Sequence, residues 1–168
     1  MYSDKLQADN AAERSRAVKN DRDLIGQRFE VPRDGKTPVS LNLYQPAQAD
    51  PGQVRPLIIN VHGGGFVYGD ADVLDTQSQR LADSWGATVL AIDYTKADVQ
   101  PVEYGVEEIA DVVRYAQENS DYFAIDPNNT HLMGTAQGPS TLPQQPKNSS
   151  KRVLPLLPRY SSCLGPTG

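Results

Sequence analysis

Leu57-Ile58-Ile59-Asn60-Val61-His62-Gly63-Gly64-Gly65-Phe66 is the stretch that decides the fold of this chain. Its first half, residues 57–61, is a nearly continuous apolar run, which is typical of a strand buried on both faces. The run is followed by His62 and then by three glycines, which let the backbone turn tightly and approach a ligand closely. We therefore predict a buried strand that ends in a glycine loop.

Apolar periodicity on both sides of this strand predicts alternating strands and helices. Arg28 to Val31 and Val39 to Tyr44 are predicted to form a hairpin, because residues 32–36 between them have the composition of a turn. The elements predicted after the glycines are a helix over 74–85, a second buried strand over 87–93, a helix over 105–118, a turn over 126–129 and a third core strand over 130–133. This order indicates right-handed crossovers in a mostly parallel sheet with flanking helices, and hence an α/β fold.

The predicted helix over 105–118 separates apolar from acidic residues. Apolar residues recur at helical spacing and predict one buried face: Val106, Ile109, Ala110, Val113 and Ala116. The acidic residues are predicted to form a solvated face: Glu107, Glu108 and Asp111.

Composition and charge narrow the class of protein. The chain has 168 residues, 38% of them hydrophobic and 22% charged, with a net charge of -5. No nucleic-acid partner is expected, because nucleic acids and anionic membranes call for clustered Lys and Arg. The apolar runs are too short to span a bilayer, and the N-terminus has no apolar signal region, so we expect a cytoplasmic protein without a membrane span. Cys163 is the single cysteine, and neither a metal site nor a cofactor motif is expected.

Three segments are predicted. Residues 1–27 form an N-terminal helical or flexible segment, with a marginal helix over 8–18, because that stretch favours helix but has only a thin apolar face. Residues 28–138 form the α/β core. Residues 139–168 are rich in proline and serine and are expected to be disordered or loosely attached, because each proline removes a backbone donor and restricts its neighbour.

The chain resembles the hormone-sensitive-lipase and carboxylesterase branch of the α/β-hydrolases, over roughly residues 28–134. The resemblance is carried by His62-Gly63-Gly64-Gly65, Asp93-Tyr94, the helix over 107–117, Asp126-Pro127 and the strand over 131–134, all in the family's order. It implies that Gly63 and Gly64 belong to an oxyanion hole, with His62 and Gly65 as motif residues. It also implies a small ester as the substrate of intact relatives. His62 is predicted to orient the loop and His131 to be a structural strand residue.

The family's nucleophile motif, G-x-S-x-G, is altered in this chain. The chain has Gly134-Thr135-Ala136-Gln137-Gly138, so both glycines are in place but the nucleophile position is Ala136. A methyl group does not attack a carbonyl. By the same resemblance Gln137, which follows the nucleophile position, would complete the oxyanion hole. In the family the catalytic acid and histidine follow the serine, yet residues 139–168 contain no Asp, Glu or His.

Three functions are compatible with this pattern. The first is a truncated, catalytically inactive member of an ester-hydrolase family, with no intact catalytic residue. The second is a non-catalytic binding or interaction protein on a hydrolase scaffold, which the exposed edge of the last strand disfavours because such edges aggregate. The third is another chemistry that uses Asp93, Asp126 or Glu107, although strand ends, turns and solvated helix faces explain these residues.

A single missing base would explain why the match ends so abruptly after Thr135. Reading one base earlier, the wobble base of Thr135 with the first two bases of Ala136 gives a codon that permits serine. The next two codons permit alanine and glycine, so the earlier frame permits Gly-Thr-Ser-Ala-Gly. We therefore hypothesise that the segment after Thr135 is translated out of frame.

Resequencing the gene through codon 136 tests this hypothesis. We expect one additional base near codon 135, followed by a reading frame that encodes Ser at position 136 and, further on, an acid and a histidine. A confirmed base count with no such frame downstream would refute the frameshift.

Overall fold

The computed structural model describes residues 4–18, 23–50, 52–135 and 154–155. Four α-helices and six strands are present in these residues. The helices are α1 (Asp4–Val18), α2 (Asp75–Trp85), α3 (Val102–Glu118) and α4 (Ser120–Phe123), and a 3-10 turn (Ala71–Leu74) precedes α2. The strands are β1 (Gln27–Val31), β2 (Val39–Tyr44), β3 (Arg55–Val61), β4 (Thr88–Asp93), β5 (Ile125–Gly134) and β6 (Leu154–Pro155).

All six strands form one sheet in the order β1-β2-β4-β3-β5-β6. Its centre is parallel, because β3 pairs in parallel with both β4 and β5. The hairpin of β1 and β2 adds antiparallel strands beside β4, and β6 pairs antiparallel with β5 at His131 and Leu132. The predicted α/β class, hairpin and three core strands are therefore confirmed.

The central strand β3 is buried on both faces, as its apolar run predicts. Leu57, Ile58 and Ile59 are each 0% exposed. Leu57 and Ile59 face the cluster that contains residues of α3 and α4, whereas Ile58 faces the cluster that contains residues of α2. Successive side chains of a strand point to opposite faces, so one short run contributes to both layers of the core.

The buried face of α3 differs in part from the predicted one. Ala116 is buried, and Ile109 and Val113 are partly buried against the core, as predicted. Val106 is 54% exposed, and Ala110 is exposed as well. The buried residues of the helix are Gly105, Glu108, Val112 and Ala116. The observed face is therefore rotated toward Gly105, Glu108 and Val112, a difference that periodicity alone did not show. Packing against the segment after β4 accounts for it, because Gly105 lets the helix approach Thr95 and Tyr94 closely.

Two element boundaries were also predicted incorrectly. The turn expected over 126–129 lies inside β5, where the pairing with β3 is irregular and the carboxylate of Asp126 accepts a hydrogen bond from the Asn128 N–H at 2.9 Å. The N-terminal helix starts at Asp4, earlier than the predicted residue 8. Its Asn10 is buried and donates to Asp98, so tertiary contact supports a helix whose own apolar face is thin.

The acidic residues of α3 do not form a solvated face as predicted. The side chain of Arg33, in the predicted hairpin turn, is 2% exposed and pairs with Asp111 at 2.7 Å and with Glu108, whose side chain is 3% exposed, at 3.6 Å. Partial burial acts to raise the pKa of Asp111, but the hydrogen bonds and charges of Arg33 and Arg114 outweigh it and lower that pKa. Only Glu107 remains substantially exposed, at 48%, in a pair with Lys36.

Parts of the predicted organisation lie outside the described residues. The proline-rich segment 139–168 does so except for residues 154–155, and the division into 1–27, 28–138 and 139–168 stays a prediction. None of the described helices is long and apolar enough to cross a membrane.

Arg33→Met should destabilise the protein by about 3 kcal/mol, because it removes the cation from the buried Glu108 carboxylate and one of the two cations paired with Asp111. The matched control is Lys36→Met, which removes an exposed partner of Glu107 and should cost less than about 1 kcal/mol. Urea unfolding of both variants at neutral pH measures the difference. Equal losses in the two variants would contradict a structural role for the buried pair.

Candidate functional site

The candidate site lies at the edge of the sheet where the three parallel strands end. Val61 at the end of β3 is paired with Ile92 in β4 and with Gly134 in β5. The segments that follow these strands therefore start side by side, the usual location of ligand sites in open α/β sheets. Thr135 stays tied to this edge, because its N–H donates to the Val61 carbonyl at 3.1 Å.

Residues 62–69 form a tight loop that requires glycine at two positions. Gly64 has φ of 128°, and its carbonyl accepts the N–H groups of Val67 and Tyr68 at 3.2 and 3.0 Å. A Cβ at Gly64 would overlap the carbonyl oxygen of Tyr68. Gly69 has φ of 85°, and a Cβ there would lie 2.9 Å from His62 Nδ1. Residues with a side chain rarely adopt such φ angles, so both positions require glycine.

Two backbone donors of this loop are available for a ligand. Within the described part of the chain, the N–H groups of Gly63 and Gly64 make no hydrogen bond, and both residues are partly exposed. Backbone N–H groups that are left without an internal partner are costly when buried and are commonly satisfied by a ligand or water. These are the donors that the sequence resemblance assigns to an oxyanion hole.

The His62 ring is held rigidly beneath the loop. Only 2% of the residue is exposed, and its Nδ1 lies 2.7 Å from the carbonyl oxygen of Gly63. The ring stacks on Tyr94 with a centroid separation of 4.4 Å and an interplanar angle of 9°. The Tyr94 hydroxyl donates to the His62 carbonyl at 3.1 Å, and burial, aided by Asp93, raises the pKa of Tyr94 to about 12. These contacts hold the ring in place, and the loop-orienting role of His62 stays a prediction.

Lys96 completes the site and was not predicted from the sequence. Its Nζ lies 2.8 Å from Asp93 Oδ1 and 3.1 Å from His62 Nε2. Partial burial acts to raise the pKa of Asp93, but the charge and the hydrogen bond of the Lys96 ammonium outweigh it and lower that pKa. A signal for this contact was present, since Lys96 and His62 each follow a core strand of a parallel sheet.

The other candidate residues do not join this site. Asp126 lies near the start of β5, at the opposite edge of the sheet from Asp93, which ends β4. Glu107 pairs with Lys36, and His131 contacts Asn129 through Nε2 at 2.8 Å. Gly134 lies at the edge beside Val61, whereas Ala136, Gln137 and Gly138 lie outside the described residues.

No group of three or more His, Cys, Asp or Glu residues in the described part of the chain is arranged to hold a metal ion. The described part of the site contains backbone donors, one imidazole, one ammonium and one carboxylate, which bind and orient an oxygen-bearing ligand. Its two hydroxyls, those of Tyr94 and Thr135, donate to the carbonyl groups of His62 and Val61.

Residues 58–140 match a family model described as an alpha/beta hydrolase fold. The chain is 30% identical to an ethyl acetate hydrolase of Pseudomonas putida over 70% of this chain and 37% of that protein, and 27% identical to Esterase LipI of Mycobacterium tuberculosis over 60% and 32%. A metagenomic ester-hydrolase from Lake Arreo superposes with a TM-score of 0.64 at 22% identity, over 77% of this chain and 43% of that one. The chain thus spans about a third of the length of these curated relatives.

Gly64→Ala should cost about 2 kcal/mol or more in unfolding free energy, because a side chain at this φ overlaps the Tyr68 carbonyl. Gly65→Ala is the matched control. Gly65 has φ of 60°, and a Cβ there would meet open space, so alanine should cost only about 1 kcal/mol. Chemical denaturation measures both, and a smaller loss for Gly64→Ala than for Gly65→Ala would contradict this loop geometry.

Proposed function

Because this chain belongs to the carboxylesterase-type family of α/β-hydrolases, we propose that its glycine loop binds the carbonyl oxygen of a small ester without hydrolysing it. The observation that carries the second half of this proposal is Ala136 at the nucleophile position. The first half rests on the N–H groups of Gly63 and Gly64, which have no acceptor among the described residues.

Binding of the ester oxygen follows from the donors at the end of β3. In acyl transfer the carbonyl oxygen becomes negative as the carbon turns tetrahedral, and preorganised N–H groups stabilise that charge. Gly63 and Gly64 supply two such donors on a backbone that His62 and the sheet hold in place. Donors of this kind contribute to binding even without a nucleophile.

Hydrolysis also requires a nucleophile, and position 136 of this chain does not supply one. In the family, a serine hydroxyl attacks the carbonyl carbon, the alcohol leaves, and water then releases the acyl group. Ala136 has only a methyl group, so no acyl-enzyme forms there. The neighbouring hydroxyl of Thr135 is directed to the sheet, since it lies 3.5 Å from the Val61 carbonyl oxygen.

The proposed ligands of this site are small carboxylic esters. One relative is named an ethyl acetate hydrolase, and its similarity covers 70% of this chain. An acetate ester is therefore the appropriate probe for this site.

Purified protein should release no p-nitrophenol from p-nitrophenyl acetate above the rate of the Gly64→Ala variant, because neither protein has a nucleophile at position 136. Release is followed by absorbance at neutral pH, with an active esterase of the same family as the positive control. Turnover by the unaltered chain that Gly64→Ala abolishes would overturn the proposed inactivity.

A further inference from the structure

Lys96 is a buried ammonium that the proposed ester site does not by itself explain. The residue is 5% exposed, and burial of an unpaired charge is costly. Its Nζ has three acceptors: Tyr94 O at 2.6 Å, Asp93 Oδ1 at 2.8 Å and His62 Nε2 at 3.1 Å. The Nζ atom also lies 4.4 Å from the centroid of the Tyr94 ring. The surroundings of Lys96 therefore suit a charged ammonium.

The three acceptors determine the tautomer of His62. An ammonium has three N–H donors and no lone pair, so it contacts His62 Nε2 only by donating to it. Nε2 must then be unprotonated, and the proton of the neutral ring resides on Nδ1. From Nδ1 the ring donates to the Gly63 carbonyl oxygen, 2.7 Å away, whereas Asp93 Oδ1 lies 3.8 Å from Nε2, beyond hydrogen-bond distance. One hydrogen-bonded chain thus runs from Lys96 through His62 to Gly63.

The bond to the Gly63 carbonyl fixes the direction of the next N–H. In a planar trans peptide the carbonyl of Gly63 and the N–H of Gly64 point in opposite directions. The Gly64 N–H therefore points away from the His62 ring, and no described residue accepts it. A carbonyl that accepts a hydrogen bond also polarises its own peptide, which strengthens the N–H as a donor.

We propose that Lys96 is a positioning residue of the glycine loop. Its ammonium holds His62 in the Nδ1–H tautomer, His62 holds the Gly63 carbonyl, and the Gly64 N–H is thereby directed at an oxygen of a bound ester or carboxylate. The ligand part of this inference rests on the proposed function, whereas the positioning part rests on the contacts of Lys96 alone.

The test is nitrogen-15 NMR of the full chain at neutral pH, with acetate as a carboxylate probe. In the unaltered protein we expect the His62 ring to be the Nδ1–H tautomer. We expect acetate to shift the Gly64 amide resonance. Lys96→Met should give a mixture of tautomers, a displaced Gly64 resonance and acetate binding weakened roughly tenfold, the size expected for one charge-assisted hydrogen bond. Lys36→Met is the matched control at an exposed lysine and should change none of these readouts.

The outcomes separate the two proposals. A His62 ring protonated on Nε2 in the unaltered protein overturns the role of Lys96, and this measurement needs no variant to fold. An unchanged tautomer and Gly64 resonance in Lys96→Met overturns it as well. If the tautomer responds as expected but acetate never shifts Gly64, the role of Lys96 is supported and the proposed ester-binding function is contradicted.

Discussion

The burial of β3 on both faces is the constraint from which the rest of the structure follows. A strand with no solvent-facing side needs a hydrogen-bonded neighbour on each side and a helical layer on each face. The neighbours are β4 and β5, and the layers are α2 on one face and α3 with α4 on the other. Because all three strands run in parallel, their carboxyl ends meet at one edge. The loops that carry the polar groups of the site are brought together there.

At that edge the polar groups support one another. The His62 ring stacks on the Tyr94 ring, and the Tyr94 hydroxyl donates a hydrogen bond to the His62 carbonyl. The Phe66 carbonyl accepts the N–H of Ala97 at 2.8 Å, which joins the glycine loop to the segment after β4. The loop is thus held from two sides, while the N–H groups of Gly63 and Gly64 find no acceptor in the part of the chain that the structure describes. This is the condition for preorganised binding of an oxygen atom. In the proposed function, the groups that bind an ester carbonyl differ from the group that attacks it, and Ala136 concerns only the attack.

A second polar network holds the hairpin to α3 and has a structural role. Arg33 reaches from the segment after β1 to the helix, and Glu108 reaches from the helix to Thr95, where its carboxylate accepts both the N–H and the hydroxyl. Glu108 thereby links the hairpin to the segment that carries Lys96. The conformation of this segment depends on a buried carboxylate as much as on apolar packing, and such carboxylates are retained only when they are fully paired.

The sequence by itself determined the α/β class, strands β1 to β5, most helices, the glycine loop and the methyl group at position 136. These features are local. The period of a strand, a run of glycines and the identity of one side chain can all be read without knowing their tertiary contacts. Only the tertiary structure decided the exact orientation of the buried face of α3, the burial of the Arg33 and Glu108 side chains, and the contact of Lys96 with His62. Each of these depends on contacts between residues far apart in the chain, and neither periodicity nor composition records which distant partner a charged side chain will find.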